Sequence, residues 1–182
     1  AFGAYTSGCG HAFATSKGFP ETWRDKRAFV CGPTGHLLGM YDVRTKDSGY
    51  ESINAYSFLA STDEWFSPVV AEVGPDGNMW VADWYNFIIQ HNPTPNKESG
   101  GYNAKLGLGN AHINTNRDRQ HGRIYRVVYE GNNNKIQSLD GSTTKQLLKF
   151  LGDDNLFWRL TAQRLLVENK HFDAVPELEA IV

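Results

Sequence analysis

The chain has 182 residues, of which 40% are hydrophobic and 13% aromatic, so a disordered protein is excluded and a sizeable core is expected. With 18 basic and 20 acidic residues the formal net charge is −2 and no basic tract stands out, which argues against nucleic acid as a partner. The apolar runs are too short for a membrane span.

The first 141 residues contain short runs of β-branched and aromatic residues separated by Gly, Pro, Asp and Ser, a pattern typical of strands and turns. No helical pattern lies between these runs, so crossover βαβ units are not indicated and an all-β sandwich, barrel or propeller is favoured. The predicted strands are RAFVC (27–31), HLLGMYDV (36–43), SINAYSFLA (52–60), PVVAEV (68–73), NMWVAD (78–83), GRIYRVVYE (122–130) and KIQSL (135–139), and the run FIIQH (87–91) is expected to pair locally.

The two cysteines, Cys9 and Cys31, belong to no metal-binding or haem-attachment motif. They fall nearly opposite each other if residues 5–14 and 26–33 pair as antiparallel strands. That pairing allows a cross-strand disulfide, which would imply an oxidising compartment. The alternative is two reduced, buried thiols, which are common in protein cores.

The hydrophobic period becomes helical after Gly141, so we predict a β domain over 1–141 and a helical domain over 142–182. STTKQLLKFLG predicts one short helix that begins at a Ser142 or Thr143 cap and ends at Gly152.

DDNLFWRLTAQRLLVEN predicts a second helix, capped by Asp153 or Asp154, and a third is expected from Asp173 to the end of the sequence. The second helix has one apolar face, formed by Trp158, Ala162, Leu165 and Leu166. A single repeat of this kind cannot bury its own apolar face, so we expect the chain to be a piece of a longer protein.

The order of strands and connections in the β domain predicts which residues share one end of it. PVVAEV, NMWVAD and GRIYRVVYE form an antiparallel meander, joined by the GPDG turn (74–77) and by a long insertion at 84–121. Alternate connections of a meander emerge at the same edge, so the insertion and STDEWFS (61–67) are expected together. The residues placed there are Asp63, Glu64, Trp65, Asp83, Trp84, Tyr85, Asp118 and His121.

His121, with Asp118 and Arg123, is the candidate for acid–base catalysis, because a carboxylate can hold an imidazole in one tautomer. The alternative is that His121 only forms hydrogen bonds that hold the insertion down, with Arg117 or Arg123 in an ion pair. Asp63 and Glu64 are adjacent acids that offer hard oxygen ligands to calcium. The alternative for them is a solvated loop whose acids cap backbone groups.

A ligand-binding role is predicted for a mixed aromatic and polar set, which comprises Asp83, Trp84, Tyr85, Asn86, Trp65 and His36. The alternative is structural, because Asp and Asn stabilise tight turns and Trp and Tyr pack between neighbouring sheets.

Three segments carry a resemblance to a known family: AFVCGPTGHL (28–37), DEWFSPVVAEVGPDGNMWVADWYN (63–86) and NRDRQHGRIYRVVYE (116–130). With the helical repeat that follows, they resemble the PVC-type membrane-bound dehydrogenase-like proteins. These are large exported bacterial proteins in which a propeller similar to glucose/sorbosone dehydrogenases precedes HEAT repeats and often a haem-binding C-x-x-C-H domain. The resemblance implies a mainly β then α chain: C-terminal blades of a β-propeller, about two in number, then the start of a HEAT-type α-solenoid.

The resemblance also implies an oxidoreductase that acts on a sugar or related alcohol, uses pyrroloquinoline quinone and calcium, and is periplasmic or extracellular. Electrons would pass to a haem domain outside this chain, and the main partner would be the rest of its own longer polypeptide. The alternative is a non-catalytic module that binds carbohydrate or protein. Ser67 stands where the family often has an arginine, and neither the quinone-binding residues nor the haem motif are found here.

Overall fold

The computed structural model describes residues 8–89, 94–107 and 112–180, and every structural statement below concerns these residues. Within them the fold is mainly β, followed by short helices. The strands are β1 (Cys9–Phe13), β2 (Arg27–Gly32), β3 (Leu37–Lys46), β4 (Gly49–Ala60), β5 (Pro68–Val73), β6 (Met79–Asp83) and β7 (Arg123–Val127), and the α-helices are α1 (Thr144–Phe150), α2 (Leu156–Glu168) and α3 (Val175–Glu179).

The strands form two antiparallel sheets, with the orders β1-β2-β3-β4 and β5-β6-β7. Both orders follow the chain, so each sheet is a meander without a crossover, as the lack of intervening helical segments predicted. The longest pair is β3 with β4, in which Leu37 lies opposite Ala60 and Lys46 opposite Gly49.

The strand predictions are confirmed apart from KIQSL (135–139), which is wrong. Ile136 is 64% exposed, and only Leu139 of this segment is buried, in the helical core. Asn132, just before it, donates from Nδ2 to the carbonyl oxygen of Asp76 at 2.9 Å, so side-chain bonds replace a strand ladder here. The FIIQH prediction falls partly outside the described residues, and 87–89 form no strand.

The helix caps follow from local side-chain hydrogen bonds. Thr143 caps α1 in a reciprocal capping box, in which Gln146 Oε1 accepts from the Thr143 N–H at 2.8 Å. The cap predicted for α2 is wrong: Asn155, rather than Asp153 or Asp154, accepts from the Phe157 N–H at 3.0 Å. Asp153 instead accepts from the Asn155 N–H at 2.8 Å, and this bond forms a side-chain-to-backbone turn just before the helix.

The helices pack around one small core, whose buried residues are Leu139, Leu147, Trp158, Ala162, Leu166 and Ala174. The apolar face predicted for α2 is confirmed, with Leu165 partly buried at its edge. No helix among the described residues is long and apolar enough to cross a membrane, in agreement with the sequence.

The chain divides into two compact units that are each discontinuous in sequence. Unit 1 takes Ala1–Ala12, Ala28–Ala71 and Val81–Tyr125, as far as these are described, and unit 2 takes Phe13–Arg27, Glu72–Trp80 and Arg126–Val182. The domain boundary expected after Gly141 lies inside the last segment of unit 2 and stays a prediction.

In unit 2 the start of α2 is bound to the GPDG turn. Asn155 Nδ2 donates to the Gly74 carbonyl oxygen and Trp158 Nε1 to that of Pro75, both at 2.9 Å. The Leu156 N–H donates to the Thr15 carbonyl oxygen at 3.0 Å. The turn therefore does more than reverse the chain, because it supplies acceptors for the helix.

Candidate functional site

Asp63 positions the tryptophan two residues after it. Its Oδ1 atom accepts from the Trp65 N–H at 3.0 Å, which closes a small side-chain-to-backbone turn just before β5. The pKa of Asp63 lies below its usual value, chiefly because Arg123 donates to the carboxylate and also because the Trp65 N–H does. Asp63 is therefore ionised and committed to both donors.

Asp83, the last residue of β6, organises the turn that follows it. Its side chain is buried, and Oδ1 accepts from the Ser67 N–H at 2.7 Å and from the Tyr85 N–H at 2.9 Å. Tyr85 has a φ of 55°, in the left-handed region that costs free energy for a residue other than glycine. The carboxylate holds Tyr85 in that conformation, and the Tyr85 ring stacks on Trp65 with centroids 5.3 Å apart.

Arg123, the first residue of β7, links the two aspartates. Nη1 lies 2.6 Å from Asp63 Oδ2, and Nε lies 2.6 Å from Asp83 Oδ2. Burial lowers the pKa of Arg123, but the two carboxylates outweigh burial and raise it. The guanidinium carbon also lies 4.5 Å from the centroid of the Tyr85 ring, a cation–π distance.

His121 and Asp118 form a second pair in the same unit. His121 Nδ1 lies 2.7 Å from Asp118 Oδ2, and Asp118 Oδ1 accepts from the N–H groups of Gln120 and His121. These bonds, that of the His121 ring first, lower the pKa of Asp118 to about 2. An ionised carboxylate accepts, so Nδ1 is the protonated nitrogen, and in the neutral form of the ring Nε2 carries the lone pair.

An open pocket of about 450 Å³ lies where these groups meet, lined by Trp65, Tyr85, Asp118, His121, Gly122 and Arg123. Asn86 fixes one side of it, because Asn86 Nδ2 donates to the Asp118 carbonyl oxygen at 3.0 Å. The His121 side chain is 67% exposed, so Nε2 is accessible from solvent. The arrangement can stack a flat ligand face on an aromatic ring and bind a polar group at the imidazole.

Of the eight residues predicted for one end of the β domain, four line the pocket: Trp65, Tyr85, Asp118 and His121. Asp63 and Asp83 do not line it but bind Arg123, which does. Trp84 is 43% exposed and does not line it, and Glu64 is exposed. His36 does not line it either, because Nδ1 lies 2.6 Å from the carbonyl oxygen of Phe66. Their predicted ligand and metal roles stay predictions.

Two residues have partners that the sequence did not indicate. Arg123 was expected to assist His121 or, in the alternative, to form an ion pair, and it joins Asp63 to Asp83. Ser67, at the position where an arginine was expected, is buried and donates from Oγ to the Asn86 carbonyl oxygen at 2.7 Å. The Arg123 pairings span 60 and 40 residues, so no local spacing signals them.

Cys9 and Cys31 lie on the neighbouring strands β1 and β2, both as free thiols. The Cys31 Sγ atom donates to the Gly10 carbonyl oxygen at 3.6 Å. Burial, and then the nearby Cys9, raise the pKa of Cys31 to about 12, so its thiol is protonated at neutral pH. The disulfide stays a prediction.

The residues of this site do not fit the cofactors that the resemblance implied. Calcium takes six to eight oxygen ligands, but both carboxylate oxygens of Asp63, Asp83 and Asp118 already accept hydrogen bonds. No group of three metal-binding side chains occurs among the described residues. Pyrroloquinoline quinone carries three carboxylates, and the guanidinium lining the pocket is bound to two aspartates.

The chain belongs to the family described as a domain of unknown function (DUF7133), which matches residues 1–131, more than half of its length. The matched region contains all seven strands and every residue that lines the pocket. No curated protein and no solved structure matches the chain.

Proposed function

We propose that this chain supplies a carbohydrate-binding pocket, formed around Trp65, Tyr85 and His121. The observation that carries the proposal is the coincidence, in one open pocket of about 450 Å³, of a stacked aromatic pair with an accessible imidazole. Pockets of this size, with aromatic walls and a few converging polar groups, suit small organic ligands.

The chemistry of a sugar ring matches both features. The C–H groups on one face of a pyranose pack against an aromatic ring, and its hydroxyl groups exchange hydrogen bonds with polar side chains. In the pocket, His121 Nε2 is the accessible acceptor, because the carboxylate oxygens of Asp118 are already bound. A neutral hexose therefore suits the pocket better than a ligand that would need several free carboxylate groups of the protein to bind it.

The test is a binding titration of the 182-residue chain with glucose, galactose and mannose, monitored by calorimetry and by saturation-transfer NMR. Trp65→Ala should weaken the strongest of these complexes at least tenfold, or about 1.4 kcal/mol. Trp84→Ala is the matched control, because Trp84 is exposed but lies outside the pocket, and it should change affinity less than twofold. Binding that is equally lost in both variants, or absent with all three sugars, would refute the proposal.

A second candidate function is oxidation of a sugar or related alcohol, and the His121–Asp118 pair favours it. An imidazole whose Nδ1 proton is held by an ionised carboxylate can accept a hydroxyl proton at Nε2. The oxidation would also need a hydride acceptor that these residues do not hold, and the resemblance places the haem that would receive the electrons outside this chain. Dye reduction by the full-length protein tests this function, and it requires turnover that His121→Ala lowers far more than it lowers sugar affinity.

The wider architecture is part of the same proposal: about two blades of an incomplete propeller followed by the start of a HEAT-type solenoid, in an exported protein of the PVC-type dehydrogenase-like class. Two antiparallel meanders and the α1–α2 pair with its shared core support it. The partners would then be the remaining blades and repeats of the same polypeptide. Electron cryo-microscopy of the full-length protein tests the architecture, and cell fractionation tests the location.

A further inference from the structure

We infer that Arg123 is the built-in cation of the pocket: its guanidinium replaces the metal ion expected at Asp63, so this site needs no calcium. The inference rests on the proposed sugar site, because it states that this site would bind sugar without a metal ion. Its evidence and its tests, however, concern the chain without any sugar.

The first observation is how Arg123 uses its donors. Nη1 and Nε each bind a different carboxylate, Asp63 and Asp83, and both distances are 2.6 Å. A guanidinium presents these two N–H groups in a fixed, planar geometry, which an ammonium group cannot reproduce. One cation therefore bridges two acids at fixed positions and offsets one of their two negative charges, and the planar side chain reaches both acids at once.

The second observation is that every carboxylate oxygen of the two acids already accepts at least one hydrogen bond. Asp63 Oδ1 is bound to the Trp65 N–H, and Asp83 Oδ1 to the N–H groups of Ser67 and Tyr85. A calcium ion at this point would have to displace both Arg123 and these backbone donors. Glu64, the other acid predicted as a ligand, is exposed and does not line the pocket.

The third observation connects Arg123 to the aromatic wall. Its guanidinium carbon lies 4.5 Å from the Tyr85 ring and 5.7 Å from the Tyr125 ring. Among the described residues, the buried Nη2 atom has no hydrogen-bond acceptor, and the two ring faces lie at cation–π distance from the guanidinium. Arg123 therefore positions Tyr85, and through the stack Trp65, in addition to bridging the acids.

A terbium titration of the full chain tests the metal claim. Terbium binds at calcium-type oxygen sites and emits when a nearby tryptophan is excited. We expect any emission to be unchanged, within twofold, between the native chain and Asp63→Asn. Saturable emission that Asp63→Asn and Trp65→Phe both remove would show a metal at Asp63 and overturn the inference.

The positioning role is tested by the near-ultraviolet circular dichroism of the Trp65–Tyr85 stack. Arg123→Ala should lose most of that signal, Arg123→Lys should recover less than half of it, and added methylguanidinium should restore it to Arg123→Ala. Arg119→Lys, at an exposed arginine outside the pocket lining, is the matched control and should keep the full signal. Full recovery by lysine, or restoration by calcium rather than methylguanidinium, would contradict the role.

Arg123→Met covers the case in which Arg123→Ala does not fold, because methionine keeps much of the alkyl stem without the charge. It should fold, as judged by far-ultraviolet circular dichroism, and still lose the stacking signal. A native signal in Arg123→Met would overturn the inference. Because neither test contains sugar, a failure of the sugar-binding proposal leaves both results interpretable.

Discussion

Two buried aspartates, Asp76 in unit 2 and Asp83 in unit 1, have the same chemistry in different surroundings. Each accepts a backbone N–H from its own turn, and each accepts the Nε–H of an arginine on β7. Arg126 Nε lies 2.5 Å from Asp76 Oδ2, and Arg123 Nε lies 2.6 Å from Asp83 Oδ2. A buried aspartate–arginine pair is thus used twice in this chain.

The two regions differ in what surrounds the pair. Asp76 is 1% exposed and also accepts from Trp80 Nε1 and Asn78 Nδ2, at 3.0 and 2.9 Å. Asp83 lies beside the open aromatic pocket, where Arg123 is one of the lining residues. A buried ion pair therefore does not by itself indicate a ligand site, and the accessible aromatic and imidazole groups distinguish unit 1.

The largest expected difference is in the cost of removing each carboxylate. Asp76→Ala leaves three side-chain donors without their acceptor and should cost about 3–5 kcal/mol of unfolding free energy. Asp83→Ala leaves only one side-chain donor, Arg123, without this acceptor, and Arg123 still binds Asp63, so this substitution should cost about 1–3 kcal/mol. Urea unfolding measures both, with the exposed Glu21→Ala as the control. A larger loss for Asp83→Ala would reverse the comparison.

A glycine-to-alanine substitution in each region tests how much space that region has for an added Cβ atom. A Cβ atom on Gly18 would collide with the backbone carbonyl of Gly77, so Gly18→Ala should cost about 1–3 kcal/mol. A Cβ atom on Gly122, in the pocket lining, would lie 3.6 Å from the Asp83 carbonyl oxygen, an ordinary contact. Gly122→Ala should therefore change stability by less than about 0.5 kcal/mol, and equal costs in thermal unfolding would contradict the contrast.

Acid should weaken the closed region through Asp76. Burial raises the pKa of Asp76, but hydrogen bonds from Trp80, Asn78 and Arg126 outweigh burial and lower the pKa to about 2. The unfolded chain therefore binds this proton more readily, so the stabilisation is complete above about pH 5 and is lost as the pH falls through 4 towards 2.

Urea midpoints between pH 5 and 2 test this dependence. Asp76→Asn should flatten the pH dependence, whereas the exposed turn variant Asp47→Asn should leave it as in the native chain. An unchanged slope in Asp76→Asn would show that other carboxylates cause the acid sensitivity.

The smallest effect concerns two residues with left-handed backbone, Lys170 after α2 and Tyr85 in the pocket, with φ of 56° and 55°. Lys170 is exposed, so Lys170→Gly should stabilise the chain by about 0.5–1 kcal/mol. A gain of that size raises the melting temperature by roughly 2 °C. Tyr85→Gly relieves the same strain but removes the stack on Trp65, so it should lower the melting temperature, and a rise would contradict the role of the stack.

The strands and the gathering of pocket residues were predictable from particular features. Alternating β-branched and aromatic runs between turn residues located six of the strands, because the period of two is a local property of the backbone. Counting connections along a meander placed Trp65, Tyr85 and His121 together, since antiparallel strands return to the same edge.

The errors came from competition between local and distant partners. The cap of α2 went to Asn155 because Asp153 was already bound to the Asn155 N–H. KIQSL formed no strand because Asn132 and Leu139, on either side of its exposed middle, are held by the Asp76 turn and the helical core.

The sequence by itself determined the order of strands and helices, the meander connectivity and the loops that contribute to the pocket. Only the tertiary structure decided that Arg123 joins Asp63 to Asp83, and that the GPDG turn accepts hydrogen bonds from the start of α2. The physical reason is the separation along the chain of the residues that interact. Periodicity and turn chemistry act over a few residues, whereas an ion pair depends on atoms within about 3 Å that the chain brings together from distant positions.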